Sequence, residues 1–467
     1  MAWAVRRAPA VPATRAEEVV GSSAGRVARM VGAYTQPPME TADRRTAVLD
    51  DLAWRRMIAD HSDLDALRAE MATGPIRLYC GFDPTAPSLQ FGNLVQLVTL
   101  RRFQLAGHRP IGLVGGATGL IGDPSGRSAE RVLHERDVVA GWVDRIRGQV
   151  ERFISFEGET AAVLANNLDW TESLSTIDFL RDIGKHFGVN RMLAKESVSA
   201  RLEAGGISYT EFSYQVLQAL DYLELYRRFG CVLQTGGSDQ WGNLTAGVDL
   251  IRRVEGANVH AVTTPLLTSP DGRKFSASEG DTLWLDPAMT APFAFYQYFL
   301  NVDDSVVGDY LRCFSFRSHG EIEELEASVV ARPDARAAQR ALARELTELV
   351  HGADAARRAE DASNALFGGG DLRALDADML EAALAGLPRA EVEAASGLPS
   401  VLDLLVETGL AESRGQARRT LAEGGAYLNN ERVTDVAAAP SATDLLAGRW
   451  LLLRRGKRNV AVVEVRT

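Results

Sequence analysis

The sequence predicts an α/β fold: a parallel sheet with helices first, an all-helical region behind it, and a small α+β module at the C-terminal end. Three observations predict it. From Ile76 to Gly119 two short apolar runs, each closed by glycine, flank a stretch of helical period, and strand and helix patterns continue to alternate as far as Glu255. Between Thr290 and Phe367 only helical patterns occur. From Leu398 onward two short helical stretches give way to strands around an arginine-rich turn.

The 467 residues are too many for one core and imply several domains. With 46% hydrophobic and 24% charged residues, the composition is that of an ordinary globular chain, not of a disordered chain, a collagen-like fibre or a disulfide scaffold. No apolar run is long enough to span a bilayer. Cys80, Cys231 and Cys313 are widely spaced without a CxxC pair, which predicts a reduced, cytoplasmic protein without a zinc site. The net charge of −11 divides unevenly, about +2 on the segment from Leu398 to the end and about −13 on the rest. A weakly basic module on an acidic body suits local binding of a polyanion.

The first forty-odd residues carry Ala, Pro and Arg without a sustained apolar period. Residues 1–46 are expected to be a disordered extension, with Met39 a candidate start. Helices are expected at Val48–Met57 and Leu64–Met71. A buried strand follows at Ile76–Gly81, turn chemistry at Asp83–Ser88, a helix at Gly92–Ala106 stopped by Gly107, and a strand at Pro110–Val114 before Gly115-Gly116-Ala117-Thr118-Gly119. Next come a strand at Ala162–Asn166, a helix at Thr210–Tyr226, a strand at Cys231–Thr235 and a helix at Asn243–Glu255. The helical region holds Ala294–Leu300, Glu321–Val330, Asp334–Val350 and Ala353–Leu366, and Asp371–Ser396 reads as a loose connector. In the last module, helices at Val401–Thr408 and Ser413–Glu423 precede strands at Ala426–Leu428, Trp450–Leu453 and Val460–Val465.

Four segments carry chemistry. The first strand leads into a helix with Gly92 in its first turn, where free N–H groups favour phosphate; most α/β proteins have such a junction. Tyr214, Gln218 and Asp221 are spaced to share one helical face, either a solvated stripe or a pocket offering hydroxyl, amide and carboxylate to one polar ligand. Gly236-Gly237-Ser238-Asp239-Gln240-Trp241-Gly242-Asn243 lies between strand and helix, so Asp239 either caps the helix or meets a ribose. Asp271-Gly272-Arg273-Lys274-Phe275-Ser276-Ala277-Ser278 is a loop whose lysine either clamps a polyphosphate or is solvated.

Taken in order, Tyr79-Cys80-Gly81-Phe82-Asp83-Pro84-Thr85, the run Gly115 to Gly126, the Tyr214 helix and Gly-Ser-Asp-Gln-Trp-Gly-Asn closely resemble bacterial tyrosyl-tRNA synthetases, which are class I aminoacyl-tRNA synthetases. The resemblance runs from about Val48 to the end. It implies a Rossmann-like catalytic domain (47–289), a helical anticodon-side domain (290–370), a linker (371–396) and a ribosomal-protein-like RNA-binding domain (397–467). It also implies a cytoplasmic homodimer that uses L-tyrosine, ATP with Mg2+ and tRNA(Tyr), with no membrane partner, no tightly bound cofactor and no resident metal.

By the same resemblance, Tyr79 and Asp221 hold the phenol hydroxyl. Asp123, Tyr214 and Gln218 hold the ammonium group. Cys80, Asp239 and Gln240 meet the ribose or the reacting carboxylate. Gly81, Asp83, Gly92, Gly237 and Lys274 complete the nucleotide site. Arg127 and Arg131 lie near the pyrophosphate, and Thr85 works with the helix-start signature. Polar groups left unpaired by phenylalanine would reject it, a discrimination for which this enzyme class is itself the standing example. The tail offers Arg414, Arg418, Arg419, Arg454, Arg455, Lys457 and Arg458 to tRNA.

Two signatures depart from the family. Its His-x-Gly-His/Asn element is Gln90-Phe91-Gly92-Asn93 here, and the second lysine of its Lys-Met/Phe-Ser/Gly-Lys-Ser/Thr loop is Ala277. Slowed activation is the expected result. A paralogue that activates tyrosine or an analogue for a specialised role, and a non-catalytic binder of tRNA or tyrosine, are the alternative readings.

Overall fold

The computed structural model describes residues 41–125, 134–203, 205–267, 282–367, 370–393, 397–456 and 459–466. Its first sheet contains β1 (Arg77–Phe82), β2 (Arg109–Val114), β3 (Val163–Asn166), β4 (Cys231–Gly237) and β5 (His260–Thr264), all parallel, in the order β3-β2-β1-β4-β5. The chain winds outward from β1 to β3 and returns to pair β4 with the free side of β1. Strand order therefore reverses between β1 and β4, where a doubly wound sheet opens a crevice at its carboxyl edge. Asp83 follows β1 and Asp239 follows β4, so both stand at that edge.

Helices cover both faces. Helices α1 (Thr41–Trp54), α2 (Leu64–Thr73), α3 (Phe91–Leu105) and α4 (Arg136–Val150) close one side; α5 (Tyr209–Phe229) and α6 (Trp241–Glu255) close the other. Helix α5 starts where Ser208 accepts the N–H of Glu211 and stops at Gly230 in the left-handed region (φ 65°). Its apolar residues, among them Val216, Ala219, Leu220 and Leu223, are buried against the sheet and α6.

The helical region comprises α7 (Pro292–Leu300), α8 (Asp304–Phe314), α9 (His319–Ala331), α10 (Ala337–His351) and α11 (Ala353–Phe367). It shares one core with the α3 side of the sheet: Phe91 meets Phe314 at 4.7 Å and Phe299 at 5.0 Å between ring centroids. Two buried arginines reinforce the junction. Arg55 donates to the carbonyls of Arg312, Ser315 and Arg317, and Arg102 to those of Cys313 and Ser315. Burial pushes the nearby Asp51 carboxyl up, but the Arg102 and Arg55 guanidiniums and a hydrogen bond from His319 outweigh it and hold the carboxyl below its usual range. Removing one partner from such a buried charged group is strongly destabilising.

After α12 (Ala377–Leu384), β6 (Arg389–Glu393) pairs in parallel with β10 (Asn459–Arg466) in a second sheet, order β6-β10-β9-β7-β8, with β7 (Ala426–Leu428), β8 (Glu431–Val433) and β9 (Trp450–Arg455). The stretch read as a loose connector thus contains a helix and a strand of the terminal sheet. One face of that sheet packs on α13 (Val401–Glu407) and α14 (Arg414–Ala422). The other buries Trp450, Leu452 and Val462 against α11 and α12. The β7–β8 turn has positive φ at Asn429 (46°) and Asn430 (70°), and Asn430 Nδ2 donates to the carbonyl of Ala365 at 2.6 Å.

Candidate active site

The site forms where β1, β4 and α5 converge. Tyr214, Gln218 and Asp221 do share one face of α5, and that face looks inward. Asp221 is buried; its Oδ2 accepts from Asn167 Nδ2 at 3.0 Å and its Oδ1 from Trp170 Nε1 at 2.9 Å. Burial pushes the carboxyl up to about 7, against the opposing pull of those two donors. Tyr79, on β1, is 1% exposed, and its hydroxyl finds no hydrogen-bond partner among the described residues. Burial and then the field of Asp221 hold this phenol well above the usual range, so it stays neutral and able to donate.

One turn back along α5, Gln218 Oε1 is likewise buried without a partner among the described residues. Tyr214 donates its one hydroxyl hydrogen to Asp83 Oδ2 at 2.6 Å, so its oxygen meets a ligand only as an acceptor. Burial first, then the charges of Asp83 and Asp123, push the Tyr214 phenol far up, so it stays neutral. Asp123 accepts from Gln240 Nε2 at 2.6 Å and from the Ser125 N–H at 3.0 Å. Gln240 Oε1 in turn accepts from Asn243 at 3.1 Å, so this amide is engaged in holding Asp123. The Tyr214 oxygen, the Gln218 carbonyl and the Asp123 carboxylate are all acceptors, the chemistry that an ammonium group requires.

At the carboxyl edge of the sheet, Cys80 is buried and its thiol is pushed up to about 12 by burial, so it remains a neutral thiol. Gly81 is exposed, with open space where a Cβ would stand. Thr85 is half-buried, and its N–H donates to the carbonyl of Asp83 at 2.9 Å. A Cβ at Gly237 would fall 2.7 Å from Asp239 Oδ1, so a larger residue there would displace this carboxylate. Gln90 is the N-cap residue of α3, and its backbone N–H donates to Asn93 Oδ1 at 2.9 Å; Gly92 is exposed in the first turn.

Arg127, Arg131, Lys274, Ala277, Lys457 and Arg458 lie outside the described residues. Among the described residues, no group of three or more His, Cys, Asp or Glu side chains is placed to hold a metal ion, and no helix is long and apolar enough to cross a membrane.

The basic tail residues separate. Arg419 and Arg455 line a groove of about 650 Å3 with Gln416, Thr420 and Asn459, and Arg418 is exposed on the same helix. Arg414 is exposed but bridged to Asp403 at 2.8 Å, and Arg454 lies over the Tyr427 ring at 4.7 Å. Four further residues take part, Thr118, Asn167, Trp170 and Asn243, none of which the sequence had assigned a role. Thr118 and Asn243 lie inside motifs already singled out, whereas for Asn167 and Trp170 the only signal was the pair Asn166-Asn167 at the end of a strand.

Comparison with known proteins identifies the family. Residues 71–368 match the family described as tRNA synthetases class I (W and Y), and residues 379–463 the tyrosine–tRNA ligase SYY-like C-terminal domain. The chain is 61% identical over 422 residues to a tyrosine–tRNA ligase of Streptomyces coelicolor, covering 90% of this chain and 99% of that one. It is 60% identical over 425 residues to that of Acidothermus cellulolyticus, with the same coverage. A C-terminally truncated mitochondrial tyrosyl-tRNA synthetase of Aspergillus nidulans superposes with a TM-score of 0.61 at 29% identity, covering 72% of this chain and 97% of that one. Similar over nearly their whole length to such ligases, and carrying both of their domains in order, the chain belongs to the tyrosine–tRNA ligase family of the class I tRNA synthetases.

Proposed function

We propose that the protein is a tyrosine–tRNA ligase that activates L-tyrosine with ATP, supplied as its Mg2+ complex, and passes the tyrosyl group to tRNA(Tyr). The observation that carries this reading is a pair of buried atoms without a partner among the described residues, the acceptor Gln218 Oε1 one turn from Asp221 on α5 and the donor Tyr79 hydroxyl within the field of Asp221. Leaving such groups unmatched costs about 1–3 kcal/mol each, a cost relieved by a ligand with a hydroxyl at one end and an ammonium at the other.

The tyrosine carboxylate attacks the α-phosphorus of ATP, the bond to the bridging oxygen breaks, and pyrophosphate leaves. A ribose hydroxyl of the terminal tRNA adenosine then attacks the acyl carbon and AMP departs. Tyr79 and Asp221 orient the phenol. Asp123, Tyr214 and Gln218 hold the ammonium group, with Gln240 steadying Asp123. The edge formed by Cys80, Gly81, Asp83, Gly92, Gly237 and Asp239 receives the nucleotide. We assign Thr85, Gln90, Asn93, Arg127, Arg131 and Lys274 to the pyrophosphate. Exchange of labelled pyrophosphate into ATP that depends on tyrosine, and not on phenylalanine, tests this reading.

We assign residues 47–289 to catalysis, 290–370 to the anticodon side, 371–396 to a linker whose second half joins the terminal sheet, and 397–467 to RNA binding, in a cytoplasmic homodimer. Exposed apolar side chains support the dimer. Ile177, Leu180, Val189, Leu193, Leu202 and Tyr209 all fall within 177–209, and Ile177 is 69% exposed. Concentrated apolar exposure of this kind marks an interface. The double substitution Ile177→Asp, Val189→Asp is expected to convert the dimer to monomer in sedimentation at micromolar concentration; a wild type that sediments as a monomer refutes the assignment.

Arg419 at the groove and the exposed Arg418 beside it support phosphate binding by the terminal module, whereas Arg414, Arg454 and Arg455 are engaged within it, Arg455 donating to the carbonyl of Leu410. Replacing Arg418 and Arg419 by alanine should lower the log–log salt slope of tRNA binding by about 0.7–0.9 for each phosphate that these side chains neutralise. An unchanged slope removes these two residues from the interface.

A further inference from the structure

We propose that Thr118 is a positioning residue that couples occupation of the phenol end of the tyrosine pocket to the nucleotide edge, through Asn167 on one side and Asp83 on the other. The inference rests on the tyrosine-binding reading above and goes beyond it, because Thr118 belongs to none of the groups assigned to a substrate.

The connection is a chain of hydrogen bonds whose direction is fixed at every link. Asn167 Oδ1 accepts the backbone N–H of Ala117 at 2.7 Å, which sets the orientation of the amide. Its Nδ2 therefore supplies both remaining bonds, to Asp221 Oδ2 at 3.0 Å and to Thr118 Oγ1 at 2.9 Å. Having received that hydrogen, Thr118 directs its own to Asp83 Oδ1 at 2.6 Å. The other oxygen of Asp83 accepts from Tyr214 at 2.6 Å. Asn167 is 1% exposed and Thr118 3% exposed, so little water competes and each bond polarises the next.

The backbone makes room for this chain at one place. A Cβ built on Gly115 would stand 2.0 Å from Asp83 Oδ1 and 2.4 Å from Thr118 Oγ1, so any other residue there would separate the pair. Asp83 directly follows β1 at the carboxyl edge of the sheet, whereas Asp221 lies on α5; Thr118 and Asn167 span the interval between them. A hydroxyl that donates to Asp221 competes with Asn167 for the same carboxylate. Any change in the hold on Asn167 passes to Thr118 and then to Asp83. Phenylalanine brings no donor and leaves the chain as it was. Nucleotide affinity should therefore depend on whether the bound amino acid carries the hydroxyl, and the effect must be reciprocal.

The test measures binding of α,β-methylene ATP to the full chain by calorimetry, alone and with saturating tyrosine or phenylalanine. Tyrosine should change wild-type nucleotide affinity by about five-fold or more, and phenylalanine by less than about two-fold. Thr118→Val, which keeps the shape and deletes the hydroxyl, should reduce the tyrosine effect to less than about two-fold while altering tyrosine affinity alone by less than about three-fold. Thr118→Ser should restore the coupling, a rescue that a purely structural role would not give. Coupling that persists in Thr118→Val, or that phenylalanine evokes equally in the wild type, overturns the proposal; the phenylalanine comparison needs no variant and decides the matter even if Thr118→Val does not fold. A wild type that binds tyrosine no better than phenylalanine overturns the underlying reading and this inference with it.

Discussion

Replacing Asp221 with alanine should weaken tyrosine binding about 10- to 150-fold, the loss expected when a hydrogen bond to a charged group worth about 1.5–3 kcal/mol disappears. Phenylalanine affinity should change by less than about three-fold, since phenylalanine brings nothing to that end of the pocket. The comparison matters because Asp221 also accepts from Asn167 and Trp170, and its removal strands two buried donors. A general loosening would weaken both amino acids alike; a selective loss identifies Asp221 as the phenol partner. Equal losses would place the side-chain end of the ligand elsewhere.

The same residue gives the binding a pH signature. Burial pushes the Asp221 carboxyl up to about 7, so in the free protein it gains a proton as the pH falls through neutrality. Tyrosine binds the charged form by donating to it, which favours the carboxylate and lowers the bound-state pKa. Tyrosine affinity should therefore be highest above about pH 7 and fall as the pH is lowered from about 8 to about 6, with phenylalanine affinity flat over that range. Calorimetric titration of both amino acids at the two ends of the range measures the difference. A tyrosine affinity that rises on acidification would mean that the neutral carboxyl is the binding form.

Periodicity and turn chemistry made the frame of this site legible, and hydrogen-bond partners distant in sequence did not. Strand β1, the turn at Asp83 and the polar face of α5 could be read because each is local: an apolar run closed by glycine, or three polar residues at helical spacing. Strand β5 was missed because His260, Thr263 and Thr264 look polar. They are buried because their polar atoms find partners far away, Thr263 at Asp60 and Thr264 at Gln96. Strand β6, Arg-Ala-Glu-Val-Glu, reads as a polar connector because it forms a sheet edge and buries only Val392. Asn167, Trp170 and Thr118 act on Asp221 and Asp83 across 35 to 54 residues of chain, a relation that no local pattern records.

Restoring lysine at Ala277 should accelerate adenylate formation by at least about 10-fold, a conservative share of the roughly 10²–10³ expected for one donor aimed at charge developing in the transition state. Residue 277 lies outside the described residues, but the chain that leaves this segment is anchored to the start of α3. The Phe91 N–H donates to the carbonyl of Leu283 and the Leu285 N–H to that of Leu89, both at 2.9 Å, which pairs Gln90 with Trp284. Phe91 is held from behind by Phe299 and Phe314. The described chain that follows the second departure is therefore tied to the first, and Gln90 and Ala277 would act on the same departing pyrophosphate. Gln90→His should help less than Ala277→Lys, because glutamine already offers an N–H donor, whereas alanine offers neither charge nor donor. For the same reason the two reversions should not be additive. Ground-state tyrosine affinity should stay unchanged in both, since the lysine serves a charge that forms only as the bond to pyrophosphate breaks. Single-turnover adenylate formation in the wild type, each single variant and the double variant decides the matter. A fast wild type that Ala277→Lys leaves unchanged would show that other cations, Lys274, Arg127 or Arg131, already neutralise the leaving group. Failure of every variant to form adenylate, with tyrosine and tRNA both bound, would mean that this chain keeps the family's binding chemistry without its activation step.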